Sequence, residues 1–235
     1  MQRGEIYALG THRLMCGDAT NHEDVMRLIG NDKVNLVLTD PPYGIRSVSR
    51  STGKIGTGNR TYAECIGNWN NFMFKDCWKI IRALSNGFII WGGQNFTDIL
   101  PPSCGWIFWD KMKNSEILSF GDGELAWSNI STKIKKYELK WNGFLRDCDR
   151  ELNSKVHPKQ KPVELHMKIL EDFSQPDDVI LDCFGGSGTT LIASEKTGRK
   201  CLMMEISPEY CDVITKRYET LKEGMIDFAS GNQTG

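Results

Sequence analysis

The stretch from Val179 to Glu205 does most to limit what this chain can fold into. An apolar run, Val179 to Leu181, ends in Asp182 and is followed by Cys183-Phe184-Gly185-Gly186-Ser187-Gly188. A helix is then predicted from Thr189 to Thr197 and a second apolar strand from Cys201 to Glu205. Strand, glycine turn, helix, strand and terminal acid is the order of a nucleotide-binding βαβ unit. Such a unit needs a parallel sheet covered by helices on both faces. Gly185, Gly186 and Gly188 suit a backbone that turns tightly and lets a ligand approach closely. A dinucleotide site would read G-x-G-x-x-G and set a pyrophosphate on a helix N-terminus. A carboxylate at Asp182 would repel that group and attract an ammonium.

A second strand end carries chemistry of its own. Val34 to Leu38 is apolar and runs into Thr39-Asp40-Pro41-Pro42-Tyr43-Gly44. Consecutive prolines cannot continue a sheet, so the chain must turn sharply there. The turn leaves an acid, rigid carbonyls and an aromatic ring at the mouth of a sheet. An amino group on a flat ring fits that place. Asp40 and the Pro41 carbonyl can accept its hydrogens, and Tyr43 can stack on the ring.

Taken together and in this order, Asp40–Tyr43 and Asp182–Thr189 resemble the amino-methyltransferases of DNA that use S-adenosylmethionine. More narrowly they resemble the permuted beta group, in which the catalytic tetrapeptide precedes the cofactor loop. The likeness extends over nearly the whole chain. It implies a Rossmann-like α/β fold, doubly wound and circularly permuted, with a mostly parallel seven-stranded sheet and an antiparallel edge hairpin. It also implies catalysis by Asp40, Pro41, Pro42 and Tyr43. The cofactor would be held by Asp182, Phe184, Gly185, Gly186, Ser187, Gly188 and Thr189, with Glu205 on the ribose hydroxyls. Asp18, in a Gly-Asp pair after a strand, matches the family's adenine-contacting acid, and a plain turn residue explains it as well. His157-Pro158-Lys159-Gln160-Lys161-Pro162 matches a segment bordering the methionine end of the pocket, which would bring His157 and Lys161 near the site. A turn leading into a helix explains its prolines equally. In the family, Asp at the first tetrapeptide position goes mostly with adenine N6 and Ser mostly with cytosine N4. Asp40 therefore points to N6 of an adenine flipped out of double-stranded DNA. Cytosine N4, RNA, and a silent DNA-binding module remain as alternatives.

Net charge is −1, so any contact with nucleic acid must come from local patches. One is the segment of about residues 46–63, poor in apolar residues, with Arg46, Arg50, Lys54 and Arg60. It is expected to be a mobile loop that orders over DNA phosphates, although a solvated linker would look similar. The other is residues 130–156, where Lys133, Lys135, Lys136 and Lys140 are interleaved with Tyr137 and Trp141. Basic residues alternating with aromatics favour nucleic-acid contact, and the family's target-recognition segment falls here. The chain then divides into a catalytic half at 1–129, this segment, a cofactor half at 157–222 and a tail at 223–235 expected to fray.

The eight cysteines are scattered and the four histidines show no ligand spacing with them, so no metal is expected. Buried thiols and the absence of an apolar leader point to a reducing cytoplasm, and no run suits a membrane span. Family members often dimerise, so a homodimer is carried as an expectation; a restriction partner cannot be read from the residues.

Overall fold

The computed structural model describes residues 1–42, 71–111, 123–140 and 160–229. Nine strands form one sheet: β1 (Ile6–Leu9), β2 (His12–Cys16), β3 (Leu36–Thr39), β4 (Phe88–Trp91), β5 (Gly105–Asp110), β6 (Gly123–Ser128), β7 (Ile134–Glu138), β8 (Val179–Asp182) and β9 (Lys200–Glu205). Their order across the sheet is β1-β2-β9-β8-β3-β4-β6-β5-β7. β2, β9, β8, β3 and β4 run parallel; β1 and β6 run against their neighbours. The helices are α1 (His22–Ile29), α2 (Asn71–Ile81), α3 (Val163–Phe173), α4 (Thr189–Thr197) and α5 (Pro208–Ala229).

The central strands are apolar without a break because both sheet faces are covered. Alternation sorts their side chains into two cores. Leu14, Leu36, Leu38, Ile89, Trp91, Ile180, Cys201 and Met203 face α3, α4 and α5, which contribute Val163, Ile169, Leu191 and Ile214. Met15, Val37, Phe88, Ile90, Leu181, Leu202 and Met204 face the other way and meet Val25 and Leu28 of α1 and Phe74, Cys77, Trp78 and Ile81 of α2. The four α2 residues fall at i, i+3, i+4 and i+7, the spacing of one helix face. Asn21 starts α1 by accepting from the Glu23 and Asp24 amides.

Three expectations are corrected. The sheet has nine strands where seven were expected. β1 adds an edge by folding back on β2, and β7 adds the other by pairing parallel to β5. The β5–β6 hairpin is antiparallel as expected, but β7 covers its outer side. β7 lies in the segment read as a recognition region; its one buried side chain, Tyr137, with Leu139 just after the strand, is too little to register as a strand pattern. Finally, the tail does not begin to fray at Gly224, because α5 continues to Ala229. Nothing would crowd a Cβ at Gly224, and an exposed helical glycine weakens a helix by only about 1 kcal/mol.

β8 leads through α4 to β9 on one side, and β3 leads onward to β4 on the other. The chain therefore diverges between β8 and β3, opening a crevice at their carboxyl ends. Asp182 ends β8, and Asp40 follows β3.

Candidate active site

That crevice is an open cleft. It is lined by Asp18, Asp40, Pro41, Pro42, Lys161, Asp182, Phe184, Gly185, Gly186, Ser187, Thr189 and Glu205. Residues separated by 142 positions in the sequence, Asp40 and Asp182, thus share one wall system, because β3 and β8 are parallel neighbours.

Asp182 is 4% exposed and fully engaged. Its Oδ1 accepts from Thr39 Oγ1 at 2.7 Å and from the Phe184 amide at 3.1 Å, and its Oδ2 accepts from Thr190 Oγ1 at 2.6 Å. Burial pushes its pKa up, and these donors oppose the rise. The carboxylate expected to meet an ammonium therefore also joins β3, β8 and the start of α4. Thr39 and Thr190 were not singled out in the sequence. Thr39 could have been, since it directly precedes Asp40.

Glu205 ends β9 with one oxygen on the Gly186 amide at 2.7 Å and the other on the Ser207 amide at 2.9 Å. Burial dominates and raises its pKa to about 7. The Ile206 amide adds a third backbone donor, and the carboxylate, with four lone-pair positions in all, keeps acceptor capacity toward the cleft. Asp18 fits both of its readings: it lines the cleft, and its Oδ1 accepts from the Thr20 amide and hydroxyl at 2.9 and 2.8 Å.

The glycine turn leaves no room for side chains. A Cβ on Gly185 would stand 2.8 Å from Met203 Cγ and Sδ, and Gly188 holds φ of +82° at the head of α4. Gly188 shapes the turn without lining the cleft. This close backbone, with acids at Asp18, Asp182 and Glu205, fits a cationic nucleoside such as S-adenosylmethionine and disfavours a pyrophosphate.

Lys161 was expected beside the cofactor. Its Nζ donates to Asp40 Oδ2, and its carbonyl accepts from Thr189 Oγ1 at 3.1 Å. Gln160, His166 and Tyr210 also line the cleft and had no distinguishing pattern in the sequence. His166 stacks parallel to Trp91 with centroids 6.2 Å apart, and burial first, then the Lys161 charge, lowers its pKa to about 3. It is neutral at working pH.

The expected DNA contacts are distributed differently. Tyr43, Arg46, Arg50, Lys54, Arg60, Trp141 and His157 lie outside the described residues. Lys133, Lys135, Lys136, Tyr137 and Lys140 belong to β7 and its flanks and do not line the cleft. Lys135 pairs with Asp172 at 2.6 Å, and Lys136 with Glu138 at 2.7 Å and Asp110 at 2.9 Å. Tyr137 corrects the stacking expectation. It is 7% exposed, its ring belongs to the core, and its hydroxyl donates to Asp172. Among the described residues no cluster of His, Cys, Asp and Glu could hold a metal ion, and no helix is long and apolar enough to cross a membrane.

The family model for DNA methylases of the N6/N4 type matches residues 92–216, just over half of the 235 residues. The chain belongs to the N6/N4 DNA methylase family. It is 24% identical over 241 aligned residues to Type II methyltransferase M.HinfI of Haemophilus influenzae. That match takes in 84% of this chain and 66% of the relative, so the chain spans just under two thirds of that protein's length. Among solved structures, the M1.HpyAVI–SAM complex superposes with TM-score 0.56 at 23% identity, covering 87% of this chain and 97% of the other. The cytosine-N4-specific PvuII DNA methyltransferase superposes with TM-score 0.60 at 15% identity, covering 94% of each. These likenesses establish the N6/N4 methylase fold, in which β8, β9 and the glycine turn lie at the centre of the sheet despite coming late in the chain.

Proposed function

We propose that this N6/N4 DNA methylase transfers a methyl group from S-adenosylmethionine to the N6 amino group of an adenine swung out of duplex DNA. The observation that carries the reading is the convergence of Asp40 and Pro41 with the glycine turn in one cleft. Bound there, S-adenosylmethionine supplies an electrophilic sulfonium methyl. Gly185, Gly186 and Glu205 hold the nucleoside end, and the acids at the glycine turn favour the ammonium. Asp40 and the Pro41 carbonyl accept the two hydrogens of the target amine. That draws the nitrogen out of conjugation with its ring and aims its lone pair. Asp40 also stabilises the positive charge that develops on nitrogen as the bond to carbon forms. Tyr43 stacks on the base and keeps it extrahelical. No covalent intermediate is needed, because the sulfonium is already a good leaving group.

The choice of adenine rests on Asp40 at the head of the tetrapeptide. Incubation with labelled S-adenosylmethionine and mixed-sequence duplex DNA, followed by digestion to nucleosides, should place the label in N6-methyladenine. Label in N4-methylcytosine would move the assignment to the other base, and label only in RNA would change the substrate class. An Asp40→Ala variant should bind the cofactor within about twofold of wild type yet lose about a thousandfold or more in transfer rate, the scale of removing a transition-state electrostatic contact. Basic residues at 46–63 are assigned to DNA phosphates, so DNA affinity should fall steeply with added salt.

A further inference from the structure

Lys161 stands between two carboxylates from different parts of the sheet. Its ammonium donates to Asp40 Oδ2 beyond β3 and lies 3.3 Å from Glu124 Oε2 on β6. Beneath it is the Trp91 ring of β4, with the centroid 4.9 Å away. The lysine side chain is 6% exposed. Moving its charge away from both acids without water to receive it would be strongly unfavourable. The two acids differ in one respect that matters here: Asp40 lines the cleft and Glu124 does not. A molecule in the cleft can reach one of the lysine's partners and not the other.

Glu124 is suited to hold the lysine alone. Burial pushes its carboxyl up, but Lys161 and then Lys111 outweigh this and bring it to about 2. It is therefore ionised under any working condition. Lys111 approaches through the opposite oxygen, Oε1, which leaves Oε2 for Lys161. A carboxylate has four lone-pair positions, so both lysines can be accommodated.

A target amine that approaches Asp40 competes with the lysine ammonium for the same carboxylate. As methyl transfer proceeds, the amine also gains positive charge close to the ammonium, and like charges at such a separation repel. Both conflicts are relieved if Lys161 moves the short distance toward Glu124. We infer that Glu124 is a positioning residue for methyl transfer, receiving the Lys161 ammonium when the target amine takes Asp40. This rests on the role given to Asp40 above. The exchange breaks no covalent bond and moves no net charge: the hydrogen bond to Asp40 is released and the existing 3.3 Å contact with Glu124 shortens. Lys161 thereby keeps the Asp40 carboxylate compensated until a base takes it.

Glu124→Gln keeps the shape of the side chain and removes its charge. In single-turnover assays on duplex DNA its methyl-transfer rate should fall about tenfold, the size of one charge-assisted hydrogen bond. Affinity for S-adenosylmethionine should stay close to wild type; the melting temperature should fall, since Lys161 and Lys111 lose a carboxylate, so rates are compared at a temperature where both proteins are folded. Glu124→Asp, which retains the charge, should recover most of the rate. In a Lys161→Met background, Glu124→Gln should have little further effect, since the ion it receives is gone. A wild-type rate in Glu124→Gln overturns the inference, as does an equal loss in the Gln and Asp variants. So does a rate loss explained by an equal loss of cofactor affinity, or full additivity with Lys161→Met. A wild-type protein that methylates no DNA overturns the proposed function and this inference with it; an active wild type whose Glu124→Gln variant is unaffected overturns this inference alone.

Discussion

Two buried acids, Asp182 and Glu205, line the cleft, and their hydrogen bonds set what each can do. Asp182 takes three donors from Thr39, Thr190 and the Phe184 amide. Thr39→Val would remove one of these from a largely buried carboxylate. The expected loss is about 2 kcal/mol of stability, measured by urea unfolding, with Thr39→Ser restoring most of it. Glu205 carries a different consequence. Its pKa is about 7 in the folded chain against 4.5 ordinarily. Between those values the folded state holds a proton that the unfolded chain has released, so stability should fall as pH rises through that window. The loss amounts to about 3 kcal/mol and is complete above pH 7. A ribose diol donates to the ionised acid, so cofactor affinity should change the opposite way. Titration calorimetry should find binding about tenfold weaker at pH 6 than at pH 8, with Glu205→Gln abolishing the difference.

At the scale of elements, β7 reassigns a stretch whose charge and aromatic content suggested a nucleic-acid face. Its ring at Tyr137 packs into the core, and Lys135 lies near both Tyr137 and Phe173 while pairing with Asp172. The strand closes the edge beside β5 and ties it to α3. Tyr137→Phe should therefore destabilise the fold by about 1 kcal/mol while leaving DNA affinity unchanged in a filter-binding or anisotropy assay. A large loss of DNA affinity without loss of stability would return this strand to the DNA face. The glycine turn makes a contrasting case. There the sequence pattern and the geometry agree, since Gly185 meets Met203 so closely that any side chain must displace it.

At the scale of the whole molecule, the cleft draws on the ends of β2, β3, β8 and β9 and on the starts of α3, α4 and α5. A ligand there bridges both halves of the chain and should protect the fold as a unit. At a cofactor concentration a hundred times its Kd, the gain should be about 2.7 kcal/mol, or roughly 5–10 °C in melting temperature for a domain of this size. Differential scanning fluorimetry with and without S-adenosylmethionine would measure it. A shift confined to one phase of a two-phase melt would mean that the halves are not coupled.

Much of this protein was legible before any coordinates. The strand β8 and the helix α4 begin and end where the apolar run and the glycines place them, because those signals act within a few residues of one another. The resemblance carried by Asp40–Tyr43 and the glycine turn likewise pointed to the N6/N4 DNA methylase family. What the sequence could not express is which side chains meet across the sheet. Thr39 finds Asp182 and Lys161 finds Asp40 and Glu124 through the register of β3, β8 and β6, and that register is decided when both faces are buried together. Tyr137 shows the same limit from the other side: its neighbours in the chain are lysines, but its surroundings in the fold are the core, and burial of an aromatic ring prevails over local charge.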